Sequence, residues 1–244
     1  MKIIILIIIL SVLLLVLQII KSNYTDIVVL NDEITKINCP FGPPDVVCDS
    51  IHINKNWEEH LQKDIFEKYV KEGDYVIDGG AFIGNHCVRL SQLVGESGKV
   101  YAFEAHPDTF KILEQNIKLN NCNNVVLFNK GIGDKPGNIK IRSGDYNTNR
   151  GGTNWEYSSN ENDISTEVIT IDSLNLQKLN FMKLDVEGME DKVFIGMKNT
   201  ILKFKPIILY EAWKDLYENT TATLLSIYKY NISNIANDDY LAIP

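Results

Sequence analysis

The sequence predicts an α/β domain built on a doubly wound sheet and preceded by an apolar N-terminal segment. Three observations predict it. Short apolar runs alternate with helical stretches from Tyr75 onward. A glycine loop, Asp78-Gly79-Gly80-Ala81-Phe82-Ile83-Gly84, follows the first run. Four of the runs end in a carboxylate, at Asp78, Glu104, Asp185 and Glu211. Strands alternating with helices form a mostly parallel sheet with right-handed crossovers.

Taken in order, Ile3–Ile20 comes first: eighteen residues interrupted only by Ser11 and Gln18. About 17–25 apolar residues span a hydrocarbon core. No small-residue cleavage pattern follows, so the reading is an uncleaved single-pass anchor over residues 1–21. Lys2 and Lys21 flank it one on each side, and so balanced a pair leaves the orientation open. Residues 22–56 read as a stem and entry segment. Within them Cys39 and Cys48 bracket a Pro/Gly-rich loop that would close as a disulfide if the body were lumenal; Cys87 and Cys122 read as ordinary thiols.

The body runs from 57 to 244. Trp57, Leu61, Ile65, Phe66, Tyr69 and Val70 fall on one helical face, and Gly73 stops that helix. Strands are expected at Tyr75–Asp78, Val100–Glu104, Val125–Phe128, Ile139–Ile141, Val168–Ile171, Phe181–Val186, Ile207–Glu211 and Tyr240–Ile243. Helices are expected at Asn85–Val94, Pro107–Asn120, Lys192–Leu202 and Thr223–Tyr230. Between them Arg142–Thr166 is polar, and is read as a substrate lid in which Trp155 and Tyr157 stack on a sugar ring.

The chain has 244 residues, 45% hydrophobic and 23% charged, which excludes a disordered protein. Residues 22–244 hold 22 of the 24 Lys+Arg and all 32 Asp+Glu. A body this acidic argues against a nucleic-acid partner, since phosphate backbones are held by clustered cations. No metal is expected: there is no C-x-x-C pair, and a hard cation needs more oxygen ligands than the pattern supplies.

In a doubly wound sheet, ligands bind at the carboxyl ends of the strands. Here that edge is acidic. The glycine loop lacks a following Gly-Lys-Ser/Thr, so it is not a P-loop. Glu104, at the end of the second strand, is placed to accept both hydroxyls of a ribose. Asp78 would repel a pyrophosphate and welcome an ammonium. The adenosine compound that fits is S-adenosyl-L-methionine, which has a ribose, an ammonium and a sulfonium and no phosphate. Asn129 is placed near the adenine edge. Asp185 and Glu187 are the candidates for the base that serves the acceptor hydroxyl. His86, which opens the helix after the glycine loop, is expected on the surface or at a helix cap, with a place close to the reaction centre as the alternative.

The segments VIDGGAFIGNH (76–86), VYAFEAHPDTFKILEQNIKLN (100–120), ITIDSL (169–174), FMKLDVEGMEDKVFIGM (181–197) and KPIILYE (205–211) resemble the FkbM-type S-adenosylmethionine-dependent methyltransferases. The resemblance implies a Rossmann-like seven-stranded methyltransferase sheet with its last strand antiparallel. It also implies O-methylation of a sugar, glycan or small-molecule hydroxyl. By the same resemblance Asp78, Gly80 and Gly84 belong to the cofactor loop and Glu104 is the ribose acid. Asp185, Glu187 and Gly188 face the transferred methyl, and His106 is a packing variant.

Two other readings stand beside it. One is a catalytically inactive methyltransferase fold serving as a membrane-tethered binding module. The other is a nicotinamide-dependent reductase, for which Tyr210-x-x-x-Lys214 supplies a familiar spacing that falls in the wrong place in the chain. The sequons at Asn23, Asn219 and Asn231 are no more than an Asn-rich chain produces by chance. The body is read with a slight lean to the lumenal or external side.

Overall fold

The computed structural model describes residues 27–41, 45–58, 60–141, 155–156, 164–212 and 218–244. A hairpin comes first, β1 (Ile27–Val29) paired antiparallel with β2 (Lys36–Asn38), followed by α1 (Val46–Asn54). A π-helical segment, Leu61–Phe66, runs into the short α2 (Glu67–Tyr69). The alternating part is β3 (Tyr75–Gly79), α3 (Asn85–Val94), β4 (Lys99–Phe103), α4 (Pro107–Leu119) and β5 (Val125–Phe128). After it come β6 (Gly131–Ile132), β7 (Gly137–Ile141), β8 (Trp155–Glu156) and β9 (Ile164–Ile169). The chain continues as β10 (Phe181–Leu184), α5 (Glu190–Gly196), α6 (Lys198–Phe204), β11 (Ile207–Glu211), α7 (Glu218–Ile227), β12 (Asn231–Ala236) and β13 (Asp239–Ile243).

The main sheet has seven strands in the order β12-β13-β11-β10-β3-β4-β5. β11, β10, β3, β4 and β5 are parallel, and β13 runs antiparallel to both its neighbours. The doubly wound sheet with an antiparallel last strand is therefore present. Its central strands are mostly apolar because both faces are covered; Asp78 in β3 and Lys183 in β10 are the exceptions. Val76, Val100, Phe181 and Leu209 face one core, with α3 and α4. Ile77, Phe103, Met182 and Ile208 face the other, with α5, α6 and Leu225 of α7. Successive side chains of a strand point to opposite faces, and this alternation divides the two cores.

Several sequence expectations change. β12 adds a strand where none was expected, because its burial is shallow and its sequence, NISNIA, is half polar. β9 starts at Ile164, inside the stretch read as a lid, and joins a second, four-stranded sheet in the order β6-β9-β7-β8. Trp155 pairs with Ile141 there, whereas Tyr157 lies outside the described residues. The stem expectation for 22–56 also needs correction. Val28, Ile37, Cys39, Val47, Cys48 and Ile51 are buried in the α3–α4 core, so the described part of that segment packs onto the domain. Its polar surface residues disguised a short apolar set that docks through asparagines. Asn116 Oδ1 accepts from the Asn38 N–H at 2.6 Å and Asn120 Oδ1 from the Lys36 N–H at 2.9 Å, so α4 offers β2 a substitute strand edge. Cys39 and Cys48 are disulfide-bonded, with 5.5 Å between their Cα atoms. The anchor expected over residues 1–21 lies outside the described residues; among those described, no helix is long and apolar enough to cross a membrane.

Candidate active site

The site forms at the carboxyl edge of β3, β4, β10 and β11. β3 leads into the glycine loop, whose Gly80 and Ala81 N–H groups both donate to the Phe103 carbonyl, at 3.1 and 2.8 Å. Gly80 has φ +77°, and a Cβ there would fall on the Asp185 carbonyl. Gly84, at φ +93°, turns the loop into α3 beneath Leu113. Only glycine holds both conformations without strain. Asn116 Nδ2 donates to the Ile83 carbonyl at 2.7 Å, so α4 fixes this loop as well as β2.

Asp78 is fully buried, and neither carboxylate oxygen has a hydrogen-bond partner among the described residues. Burial pushes its pKa up to about 6; the Lys183 ammonium opposes the shift and the Asp185 charge adds to it. Buried polar groups without partners are rare and need a reason. Glu104 is held differently. Its Oε2 accepts from the Phe82 N–H at 3.0 Å and its Oε1 from the His106 N–H at 2.7 Å. Burial nonetheless raises it to about 7, against those two hydrogen bonds. Each carboxylate oxygen keeps a further lone pair for a hydroxyl donor.

Lys183 is the buried cation of the site. It lies within the apolar strand Phe-Met-Lys-Leu and is 5% exposed, and its Nζ sits 3.0 Å from Asp185 Oδ2 and 3.4 Å from the Gly80 carbonyl. Burial alone would lower its pKa; the charges of Asp185, Asp78 and Glu58 outweigh it and hold the ammonium above its ordinary value. Beyond Asp185, Glu187 (φ +54°) and Gly188 (φ +88°) form a left-handed turn. That turn brings Asp185, Glu187 and Glu211 together, with carboxylate oxygens within 4.8 Å of one another. β10 ends at Leu184, so this turn and not strand alternation aligns Asp185 with Glu187. Burial, then the Asp185 and Glu211 charges, lift Glu187 to about 9. Burial, then the charge and hydrogen bond of Asp185, lift Glu211 to about 8. The spacing of these three carboxylates suits one cationic centre.

A cleft of about 180 Å³ opens over this edge. Its walls include Gly80, Phe82, Glu104, Asp185, Glu187 and Glu211. Four of the predicted site residues, Gly80, Glu104, Asp185 and Glu187, thus share one cleft. Asp78 lies beneath it, and Gly84 shapes the loop from below. Asn129 is a correction: it does not line the cleft, and its Nδ2 donates to the Glu104 and Ala105 carbonyls at 2.8 and 3.2 Å, bracing the loop after β4. His86 is a second correction. Buried rather than on the surface, it lines the cleft with its ring edge-on to Phe66 at 5.4 Å. Burial, with the nearby Lys183 charge, holds its pKa well below the ordinary imidazole value. His106 caps α4, its Nδ1 accepting from the Asp108 N–H at 3.2 Å, and also lines the cleft. Tyr210, of the reductase reading, packs between Phe194 and Tyr240 in the core. Lys214 lies outside the described residues.

Three groups escaped the sequence reading. Lys183 was visible as a lysine inside an apolar strand. Glu190, 1% exposed and accepting from the Val186 N–H at 2.9 Å, resembles an ordinary first-turn acid of a helix. Glu58 reaches the cleft from the segment before the π-helix, 3.4 Å from His86 Nε2, and only the tertiary fold brings it there.

Comparison with known proteins decides the family. The profile of the methyltransferase FkbM domain matches residues 78–230, well over half of the chain. The chain belongs to the FkbM methyltransferase domain family. Among curated proteins it is 30% identical over 143 residues to the hexuronic acid methyltransferase AglP of Haloferax volcanii, a match covering 57% of this chain and 56% of AglP. It is 28% identical over 149 residues to a probable cobalt-precorrin-6B C(15)-methyltransferase (decarboxylating) of Saccharolobus solfataricus, covering 52% of this chain and 74% of that protein. The crystal structure of an FkbM methyltransferase from Methylobacillus flagellatus KT superposes with a TM-score of 0.53 at 16% identity, over 81% of this chain and 52% of that one. This FkbM domain thus spans about half the length of AglP and of that crystallised enzyme.

Proposed function

We propose that this FkbM-family protein is an S-adenosyl-L-methionine-dependent O-methyltransferase acting on a hydroxyl of a sugar, glycan or small molecule. The observation that carries the reading is Asp78, buried with both carboxylate oxygens unpartnered among the described residues, at the head of a glycine loop whose Gly80 lines the cleft. These residues fit a phosphate-free cation and would repel a pyrophosphate. Asp78, Gly80, Gly84 and Glu104 would hold the cofactor. When bound, it supplies an electrophilic methyl group on a sulfonium.

The chain's own residues then perform three tasks. Glu104, fixed by two backbone N–H groups, orients ribose hydroxyls. Lys183 keeps Asp185 in place through the 3.0 Å ion pair. The Asp185 carboxylate, with Glu187 beside it, is the group that accepts the acceptor hydroxyl's proton. Sugar methylation draws support from the likeness to AglP, whose name specifies a hexuronic acid.

Calorimetry with S-adenosyl-L-homocysteine tests the reading. Saturable binding is expected, weakened about 100-fold or more in Glu104→Ala; no heat, or unchanged affinity in that variant, overturns it. The placement we propose is a membrane one, with residues 1–21 as a single-pass anchor and the body on the lumenal or external side. The Cys39–Cys48 bond supports that side, because disulfides persist in oxidising compartments. Protease protection in sealed vesicles reads it directly.

A further inference from the structure

His86 lines the cleft but takes no part in the steps assigned to Glu104, Lys183 and Asp185. It is 4% exposed, and its buried Nε2 makes no hydrogen bond among the described residues; Glu58 Oε2 stands 3.4 Å from it. The ring does bond the Trp57 carbonyl, and with Nε2 unbonded that bond belongs to Nδ1. An N–H at Nδ1 leaves the lone pair on Nε2, since the partner of one ring nitrogen sets the state of the other. Trp57 also holds the second member of the pair, its indole N–H donating to the Glu58 carboxylate. Trp57 and Glu58 line the same cleft as His86. Two consecutive residues thus fix both sides of the gap.

We propose that His86 Nε2 and the Glu58 carboxyl bracket a second hydroxyl of the acceptor, one that is bound and not methylated, so that the site selects a polyhydroxylic molecule over one with a single hydroxyl. The proposal rests on the methyltransferase reading, in which Asp185 serves the hydroxyl that reacts.

Hydrogen-bond chemistry decides what fits the gap. A buried lone pair without a donor is costly and calls for a partner. Burial and the Lys183 charge both disfavour a second proton on the ring, so Nε2 asks for a donor. Burial lifts Glu58 to about 7, against the Lys183 charge, so near neutral pH its carboxyl carries a proton part of the time and offers it. A hydroxyl both donates and accepts, as this pair requires; an ammonium only donates, and a carboxylate only accepts.

The test uses the full chain in mild detergent, isotope-labelled at its imidazole nitrogens and saturated with S-adenosyl-L-homocysteine at pH 7. Ring-nitrogen NMR is followed while methyl glucoside, and in parallel cyclohexanol, is added. Methyl glucoside should move the unprotonated His86 Nε2 upfield, as a hydrogen bond does, and leave His52 and His60 in place. Cyclohexanol should bind more weakly by about 10-fold or more. His86→Phe, which keeps a ring against Phe66, should weaken methyl glucoside by about 10-fold or more, whereas His86→Gln, which keeps an acceptor, should stay within about 3-fold. Both variants should keep their affinity for the homocysteine product. Where a variant does not fold, the spectrum of the unaltered protein decides. A protonated Nε2, no shift with methyl glucoside, an equal affinity for cyclohexanol, a His86→Phe protein that binds methyl glucoside unweakened, or a loss of product affinity in that variant overturns the proposal and leaves the methyltransferase reading standing. Failure of the unaltered protein to bind the homocysteine product removes that reading and this inference with it.

Discussion

Lys183 Nζ and Asp185 Oδ2 stand 3.0 Å apart, two residues apart in the chain, with the lysine buried in an apolar strand. Asp78 and Glu58 add their charges around the same ammonium. Removing one partner of a buried pair leaves an uncompensated charge and costs about 3–5 kcal/mol. Lys183→Met is expected to lose about that much in urea denaturation. The double variant Lys183→Met/Asp185→Asn should recover part of it, since one of the stranded acids is then neutral. With Asp185→Asn alone completing the cycle, single losses that simply add in the double variant would show that the pair is not coupled.

How much of this was legible in the sequence follows from the physics of each residue. The parallel strands announced themselves because a sheet covered on both faces reads as near-continuous apolar runs, and Phe181–Leu184 is such a run, broken only by Lys183. The four carboxylates at strand ends were legible for the same reason, as each stands where apolar character stops. Glu58 was not legible, because its place depends on how residues 57–66 dock. Asn129 misled: it sits at a strand end by the ligand edge, but its amide serves backbone carbonyls, and position alone does not distinguish the two roles. The packed part of the segment read as a stem escaped because its apolar residues are few and its docking rests on Asn116 and Asn120, which look like surface residues of a helix.

Asn116 ties three elements together. Its amide donates to the Ile83 carbonyl in the glycine loop and to the Asn38 carbonyl in β2, while its Oδ1 accepts from Asn38 N–H. A buried backbone group left unpaired costs about 1–3 kcal/mol. Asn116→Ala should therefore destabilise the protein by about 2–4 kcal/mol and loosen the glycine loop. Faster amide exchange at Gly84 and Val88, alongside the lower denaturation midpoint, is the expected signature.

The acidic edge sets a pH dependence whose sign is fixed. Glu187 and Glu211 are raised from 4.5 to about 9 and about 8, mainly by burial, and Glu58, Glu104 and Glu190 to about 7. Below about pH 4.5 both folded and unfolded states hold these protons, and the groups contribute nothing. Between about 4.5 and 9 the unfolded chain is ionised while the folded one keeps protons, so stability falls as pH rises through that window. The ligand-free Tm should drop steadily from pH 5 to pH 9, by about 2–4 °C per kcal/mol lost. Glu187→Gln should flatten the upper part of the slope; an unchanged slope would mean that Glu187 ionises freely in the folded protein.

The bond between Cys39 and Cys48 closes a loop across nine positions of sequence and holds β2 to α1. Loop-closure entropy assigns a ring of that size about 2.5 kcal/mol. Cys39→Ser should lose about 2–3 kcal/mol and shift the transition of the whole domain, because Cys39 and Cys48 are both part of the α3–α4 core. Chain unfolded without reductant should then show two reactive thiols in the unaltered protein, Cys87 and Cys122, and three in the variant. A local loosening of residues 27–54 with the rest of the domain unaffected would place that segment outside the cooperative fold, and would restore the stem reading that its packing contradicts.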